Sequence, residues 1–167
     1  SVSKRYSACG ARIGALVTRN RELQEHLSKL TQSRLSCPSL DQAGAAALCQ
    51  LPASYLAEAR ERYQRRRDAV YKKLKDAPGV LCREPAGAFY AFVTLTEVED
   101  SEDFLMFLLT RFDLEGETLM FAPGEGFHGT PGLGKNTLRL AYVLDEDKMS
   151  RAMDVFLAGL QAYTASR

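Results

Sequence analysis

Within its first fourteen residues the chain sets a lysine between small hydroxyl residues, Ser1-Val2-Ser3-Lys4, and follows it with Gly10-Ala11-Arg12-Ile13-Gly14. An amine can condense with a carbonyl carbon. Hydroxyls and a guanidinium suit a phosphate dianion, which arginine can bind through two parallel hydrogen bonds. Together these groups could hold a phosphorylated carbonyl compound by its two ends. An amine attacks only in its neutral form, which burial and adjacent positive charge favour. Arg5 and Arg12 are the nearby charges. Gly10 and Gly14 bracket Arg12 and would let the backbone turn tightly and come close to a ligand.

A second basic residue stands out in Thr137-Leu138-Arg139-Leu140-Ala141-Tyr142. Strand alternation puts Arg139 opposite Leu138 and Leu140, on a face shared with Ala141 and Val143. A guanidinium there needs a partner. A substrate carboxylate is one, and a structural carboxylate such as Glu125 is the other.

The glycine-rich stretch before that strand contains two misleading patterns. Gly124-Glu125-Gly126-Phe127-His128-Gly129 spells a dinucleotide fingerprint, but Pro131, Gly132 and Gly134 stand where its helix must begin. Gly129 through Gly134-Lys135 spells a phosphate loop, but Asn136 replaces the hydroxyl that magnesium needs. The stretch reads as a loop delivering the Arg139 strand, with phosphate binding by Gly129 to Lys135 as the minor alternative. His128 reads as an exposed loop residue or a proton carrier, with no base partner at recognisable spacing.

Ser-x-Ser-Lys followed by Gly-x-Arg-x-Gly resembles the cofactor-lysine motif of class I aminotransferases, the aspartate aminotransferase-like group of fold-type-I pyridoxal-phosphate enzymes. Pro85-Ala86-Gly87-Ala88-Phe89-Tyr90 is similar to the family's Pro-x-Gly-Ala-Phe-Tyr turn and strand. The Thr137 to Tyr142 stretch is similar to the strand whose arginine binds the substrate α-carboxylate. The resemblance implies that Lys4 is the catalytic lysine and carries pyridoxal 5'-phosphate, that Ser1 and Arg12 hold the phosphate, and that Arg139 binds substrate. Ser3 fits the pattern with no direct contact assigned.

The same resemblance implies an α/β fold, the C-terminal half of a fold-type-I enzyme. Residues 1–54 would end the large cofactor domain, and residues 55–167 would form the small domain with its linking helix. It further implies a cytoplasmic homodimer moving an amino group between an amino acid, aspartate first, and a 2-oxo acid. The groups that contact the cofactor ring in the family lie upstream of Ser1, so this polypeptide alone is expected to show little or no activity. Dicarboxylate-specific members carry an arginine four residues before the serine of their Ser-Asn-Pro stretch. Here Gln32 stands four before Ser36, and Arg34 two before it. Lyases and synthases of this fold share the motifs, and an inert structural or dimerisation module is the non-enzymatic alternative.

Composition sets outer bounds. A net charge of +1 gives no overall electrostatic reason to expect nucleic acid or an anionic membrane as partner. No apolar run approaches the ~18 residues of a membrane span. Cys9, Cys37, Cys49 and Cys82 are too dispersed for a metal site or a disulfide framework, so reduced cytosolic thiols are expected.

Hydrophobic periodicity then supplies the elements that must position these groups. Ile13 to Thr18 reads as a buried strand. Asn20 caps a helix with Leu23, Leu27 and Leu30 on one side, which should pack. Helices follow over 41–48 and 54–76. The latter's Arg65-Arg66-Arg67 reads as a solvated face, because Glu58, Glu61 and Asp68 intersperse it. Strands are expected over 80–82, 88–95, 118–122 and 138–143, with helices over 101–112 and from Asp145 onward. In the last helix Met149, Ala152, Met153, Phe156, Leu160 and Tyr163 form a core-facing stripe.

Overall fold

The computed structural model describes all residues, Ser1–Arg167. The chain divides between Ala59 and Arg60 into two units. The first begins with a single helical turn, α1 (Val2–Arg5), whose Ser1 Oγ accepts a hydrogen bond from the Ser3 N–H at 3.2 Å. A 3-10 turn at Cys9–Ala11 follows and ends at Arg12. Helix α2 (Arg21–Gln32) starts at Asn20, whose side-chain oxygen accepts from the Leu23 N–H at 3.1 Å and satisfies a donor that the first turn leaves unpaired. Helix α3 (Ser39–Leu48) begins directly after Pro38 and lies against the 3-10 turn. Helix α4 (Ala53–Leu74) starts in this unit and runs on past its boundary.

No side chain of the first unit is buried. The strand expected over Ile13 to Thr18 does not form there, and Val17 is 94% exposed. A strand needs a neighbour for its N–H and C=O groups, and the unit contains none. The leucine stripe of α2 is uncovered for the same want of a partner element, with Leu23 and Leu30 exposed.

The second unit is built on a four-stranded antiparallel sheet in the order β1-β2-β4-β3, comprising β1 (Val80–Cys82), β2 (Tyr90–Leu95), β3 (Ala122–Pro123) and β4 (Thr137–Ala141). Strand alternation sends Ala91, Val93, Leu95, Leu138 and Leu140 to one face, where all five are buried. Helices α5 (Ser101–Thr110) and α6 (Glu146–Ala165) and the end of α4 contribute to the same core through Phe104, Leu108, Met153, Phe156, Val70 and Leu74. Phe104 is its aromatic hub, with ring centroids 5.1 Å from Tyr163 and 5.6 Å from Phe121. The stripe of α6 is thus core, as its spacing predicts.

Of the strand expected over 118–122, only Ala122 pairs with β4, and Met120 is 74% exposed. Pro123, which lacks an N–H, is the second and last residue of β3. Each arginine of the basic run of α4 has a partner within the second unit. Arg65 pairs with Glu146 at 2.8 Å, Arg67 with Asp68 at 2.6 Å and Glu84 at 3.3 Å, and Arg66 lies over the Tyr63 ring. No helix is long and apolar enough to cross a membrane.

Candidate active site

The N-terminal motif closes on itself. The Val2 N–H donates to the Ile13 carbonyl at 3.3 Å, and a Cβ placed on Gly14 would stand 3.3 Å from the Ser1 Cα. Gly14 is therefore where one backbone segment approaches another, as its type suggests. The tight turn expected from the glycines is made instead by Arg12 itself, at φ 48°, a left-handed conformation costly to a side chain. One Arg12 terminal nitrogen donates to the Cys9 carbonyl at 3.0 Å, a bond that helps hold this turn. The Cys9 thiol donates to the Ser3 carbonyl at 3.4 Å. Lys4 and Arg12 thus belong to one closed loop, both exposed.

No acidic residue precedes Glu22, whereas Lys4, Arg5, Arg12, Arg19 and Arg21 do. Arg12 has no carboxylate partner, and its remaining N–H groups can turn to an external anion. The donor set on this loop, an amine, a hydroxyl and a guanidinium, fits a phosphorylated aldehyde. An apolar hollow of about 370 Å³, lined by Val2, Tyr6, Ile13 and Ala45 among others, adjoins the loop, but neither Lys4 nor Arg12 lines it.

In the second unit, Arg139 sits in the middle of β4, opposite Phe92 of β2 and Ala122 of β3. Its neighbours Leu138 and Leu140 are in the core, so the arginine projects from the other face of the sheet. There its guanidinium carbon lies 4.4 Å from the Tyr90 ring centroid and 4.3 Å from that of Phe127. It forms no ion pair. Glu125, the structural rival for its partner, instead accepts a hydrogen bond from the Gly132 N–H at 3.0 Å.

The loop that carries Phe127 is tightly fixed. The Gly124 N–H donates to the Thr137 carbonyl at 2.8 Å, and the Thr137 hydroxyl donates to the Gly134 carbonyl at 2.6 Å. Gly134 has φ +81°, and a Cβ there would collide with the His128 imidazole. His128 is thus a packing element of this loop, its Nε2 buried without a hydrogen-bond partner. The loop forms a 3-10 turn at Glu125–Phe127 and then leads into a strand, not the helix that either phosphate-binding pattern requires.

The family profile described as "Aminotransferase class I and II" matches residues 1–156, spanning both groups of residues. The chain belongs to this aminotransferase family. It is 32% identical over 160 residues to the aspartate aminotransferase of Bacillus subtilis (strain 168), covering 92% of this chain and 38% of that protein. Among solved structures it superposes on an alanine aminotransferase from Pyrococcus furiosus with a TM-score of 0.79 and 27% identity, covering 99% of this chain and 41% of the other. An α-aminoadipate aminotransferase from Thermus thermophilus, complexed with N-(5'-phosphopyridoxyl)-L-leucine, gives a TM-score of 0.83 at 23% identity, over 96% and 40% of the two chains. This aminotransferase chain therefore has an α/β fold, that of part of a fold-type-I enzyme, and spans about 38% of the length of its Bacillus relative.

Two residues of the Arg139 site are not evident as such in the sequence of this aminotransferase chain. Tyr90 is legible there only as part of a turn motif, and Phe127 is hidden inside a misleading glycine pattern. Strand register could have found Tyr90, since it and Arg139 lie on one sheet face, whereas Phe127 comes from a 3-10 turn and carries no such signal. Gln32 closes α2, and Arg34 follows in the next turn without an ion-pair partner.

Proposed function

We propose that the protein containing this chain transfers an amino group between an amino acid, with aspartate first among the candidates, and a 2-oxo acid. Pyridoxal 5'-phosphate is its cofactor, and a cytoplasmic homodimer is its working form. The observation that carries the reading is the acid-free loop holding Lys4, Ser1 and Arg12 together, within a chain matched along most of its length by the family profile. The names of relatives such as the Bacillus aspartate aminotransferase support aspartate, whereas Gln32 does not add the second arginine that a dicarboxylate would favour.

Pyridoxal phosphate, when bound, supplies an aldehyde for amines and an electron-withdrawing ring that makes the substrate α-carbon acidic. Lys4 would hold the aldehyde end, and the Ser1 hydroxyl and Arg12 guanidinium would hold the phosphate. The Lys4 Nζ would also be the group placed to take the proton from the substrate α-carbon as a general base. Arg139 receives the α-carboxylate through its planar fork and so orients the α-hydrogen. Residues 1–54 belong in this reading to the large domain, and residues 55–167 to the small one.

The test is turnover of the intact enzyme with L-aspartate and 2-oxoglutarate. Glutamate and the matching 2-oxo acid are the expected products, and ammonia release in their place would point to lyase chemistry. Arg139→Ala should lower kcat/KM about a hundredfold, the scale of a lost charge-assisted carboxylate contact. An unchanged value would remove Arg139 from the site.

A further inference from the structure

Arg139 is flanked by two rings that belong to different parts of the second unit. Tyr90 comes from the first position of β2, and its ring centroid lies 4.4 Å from the guanidinium carbon. Phe127 comes from the last position of the 3-10 turn, with its centroid at 4.3 Å. Phe127 is 50% exposed, so burial alone does not hold it there. Its position is set by the turn, in which its N–H donates to the Gly124 carbonyl at 3.0 Å, and by edge contact with Phe92 at a centroid distance of 6.0 Å. An arginine side chain has many rotamers, and fixing one before a ligand arrives lowers the cost of binding. No carboxylate and no hydrogen bond performs that task for Arg139. The rings can do so without occupying its N–H donors, because a ring attracts the face of a guanidinium and leaves its edge open.

We propose that Phe127 is a positioning residue for carboxylate recognition, which with Tyr90 holds the Arg139 guanidinium so that its donor edge is presented to the α-carboxylate of an amino acid or 2-oxo acid. The proposal rests on the carboxylate-binding role given to Arg139 above. It makes the glycine-rich loop a device for delivering one aromatic ring. It also explains why a half-exposed phenylalanine sits in a loop otherwise closed by glycine contacts and polar bonds.

The test uses the full 167-residue chain and follows the Arg139 Nε–H resonance by nuclear magnetic resonance, with 2-oxoglutarate as the probe. In the wild type the flanking rings should shift that proton upfield. Phe127→Leu should return it downfield and weaken probe affinity roughly three- to tenfold. Phe127→Tyr should restore both, a rescue that general loosening of the loop would not give. The Leu138 and Leu140 amide resonances report whether the sheet is intact. Should leucine disturb them, Phe127→Met removes the ring while filling more of its space. An unchanged Arg139 resonance and unchanged affinity in a folded Phe127→Leu chain would overturn the proposal. Equal probe affinity in the wild type and Arg139→Met would instead overturn the carboxylate reading, and the proposal with it. The two failures therefore appear in different variants.

Discussion

Tyr142 and Tyr163 are phenols that the second unit removes from water, and they do so on different terms. The Tyr142 hydroxyl donates to the Ala88 carbonyl at 3.3 Å, whereas the Tyr163 hydroxyl is buried with no partner. Burial pushes both above the ordinary tyrosine value, with the Arg67 charge partly opposing the rise at Tyr142 and Arg167 that at Tyr163. A raised folded-state value means that the folded protein keeps its proton after the unfolded chain has lost it. The contribution to stability is therefore fully present below about pH 10 and is lost as pH climbs through the higher folded-state values. Tyr163→Phe removes a phenol that gives nothing to the neutral fold. Urea denaturation at pH 7 should show stability unchanged or raised by up to about 1 kcal/mol, with a shallower decline above pH 10. A loss of more than about 1 kcal/mol at pH 7 would show that the hydroxyl has a role that its unpaired state does not reveal. At this same scale, the sequence shows Arg12 and Arg139 as charges at telling positions. It does not show that Arg12 adopts the left-handed conformation or that Phe127 lies beside Arg139, because both depend on how distant segments close.

Helices α5 and α6 meet at Gly159, which is buried. A Cβ there would press on a terminal methyl of Leu108 and stand 3.3 Å from the Phe112 ring. Alanine would gain about 1 kcal/mol of helix propensity, but Leu108 is fully buried and has no solvent to swing into. Overpacking of this kind costs about 1–3 kcal/mol, so Gly159→Ala should destabilise the protein by roughly 1 kcal/mol in urea titration. A stabilised variant would mean that the two helices can part freely. The elements most legible in the sequence are those with a local signature. Asn20 caps α2 where its side chain predicts, α6 begins at the expected Asp145, which the structure makes its cap, and β2 and β4 follow their alternation. Ile13 to Thr18 and Thr118 to Ala122 are apolar enough to suggest strands, yet a strand exists only where a neighbour accepts its hydrogen bonds. That is a tertiary fact, which a run of apolar residues cannot encode.

For the whole molecule, the contrast lies between a second unit with a continuous core and a first unit with no buried side chain at all. Leu16, Val17, Leu35 and Leu40 are exposed in a chain that spans about 38% of its Bacillus relative. This is in keeping with the proposal that the cofactor-binding segment works as part of a larger protein. The proposed function rests on one nitrogen atom, the Nζ of Lys4. The most direct measurement is reductive trapping: stoichiometric pyridoxal phosphate is added, the adduct is fixed with borohydride, and the labelled peptide is read by mass spectrometry, with phosphate-free pyridoxal run in parallel. Label is expected on Lys4 ahead of Lys29, Lys72, Lys135 and the other lysines, and much less label from pyridoxal, which gives Arg12 and Ser1 nothing to hold. Label spread evenly over the lysines, or equal labelling by the two aldehydes, would contradict the role given to Lys4.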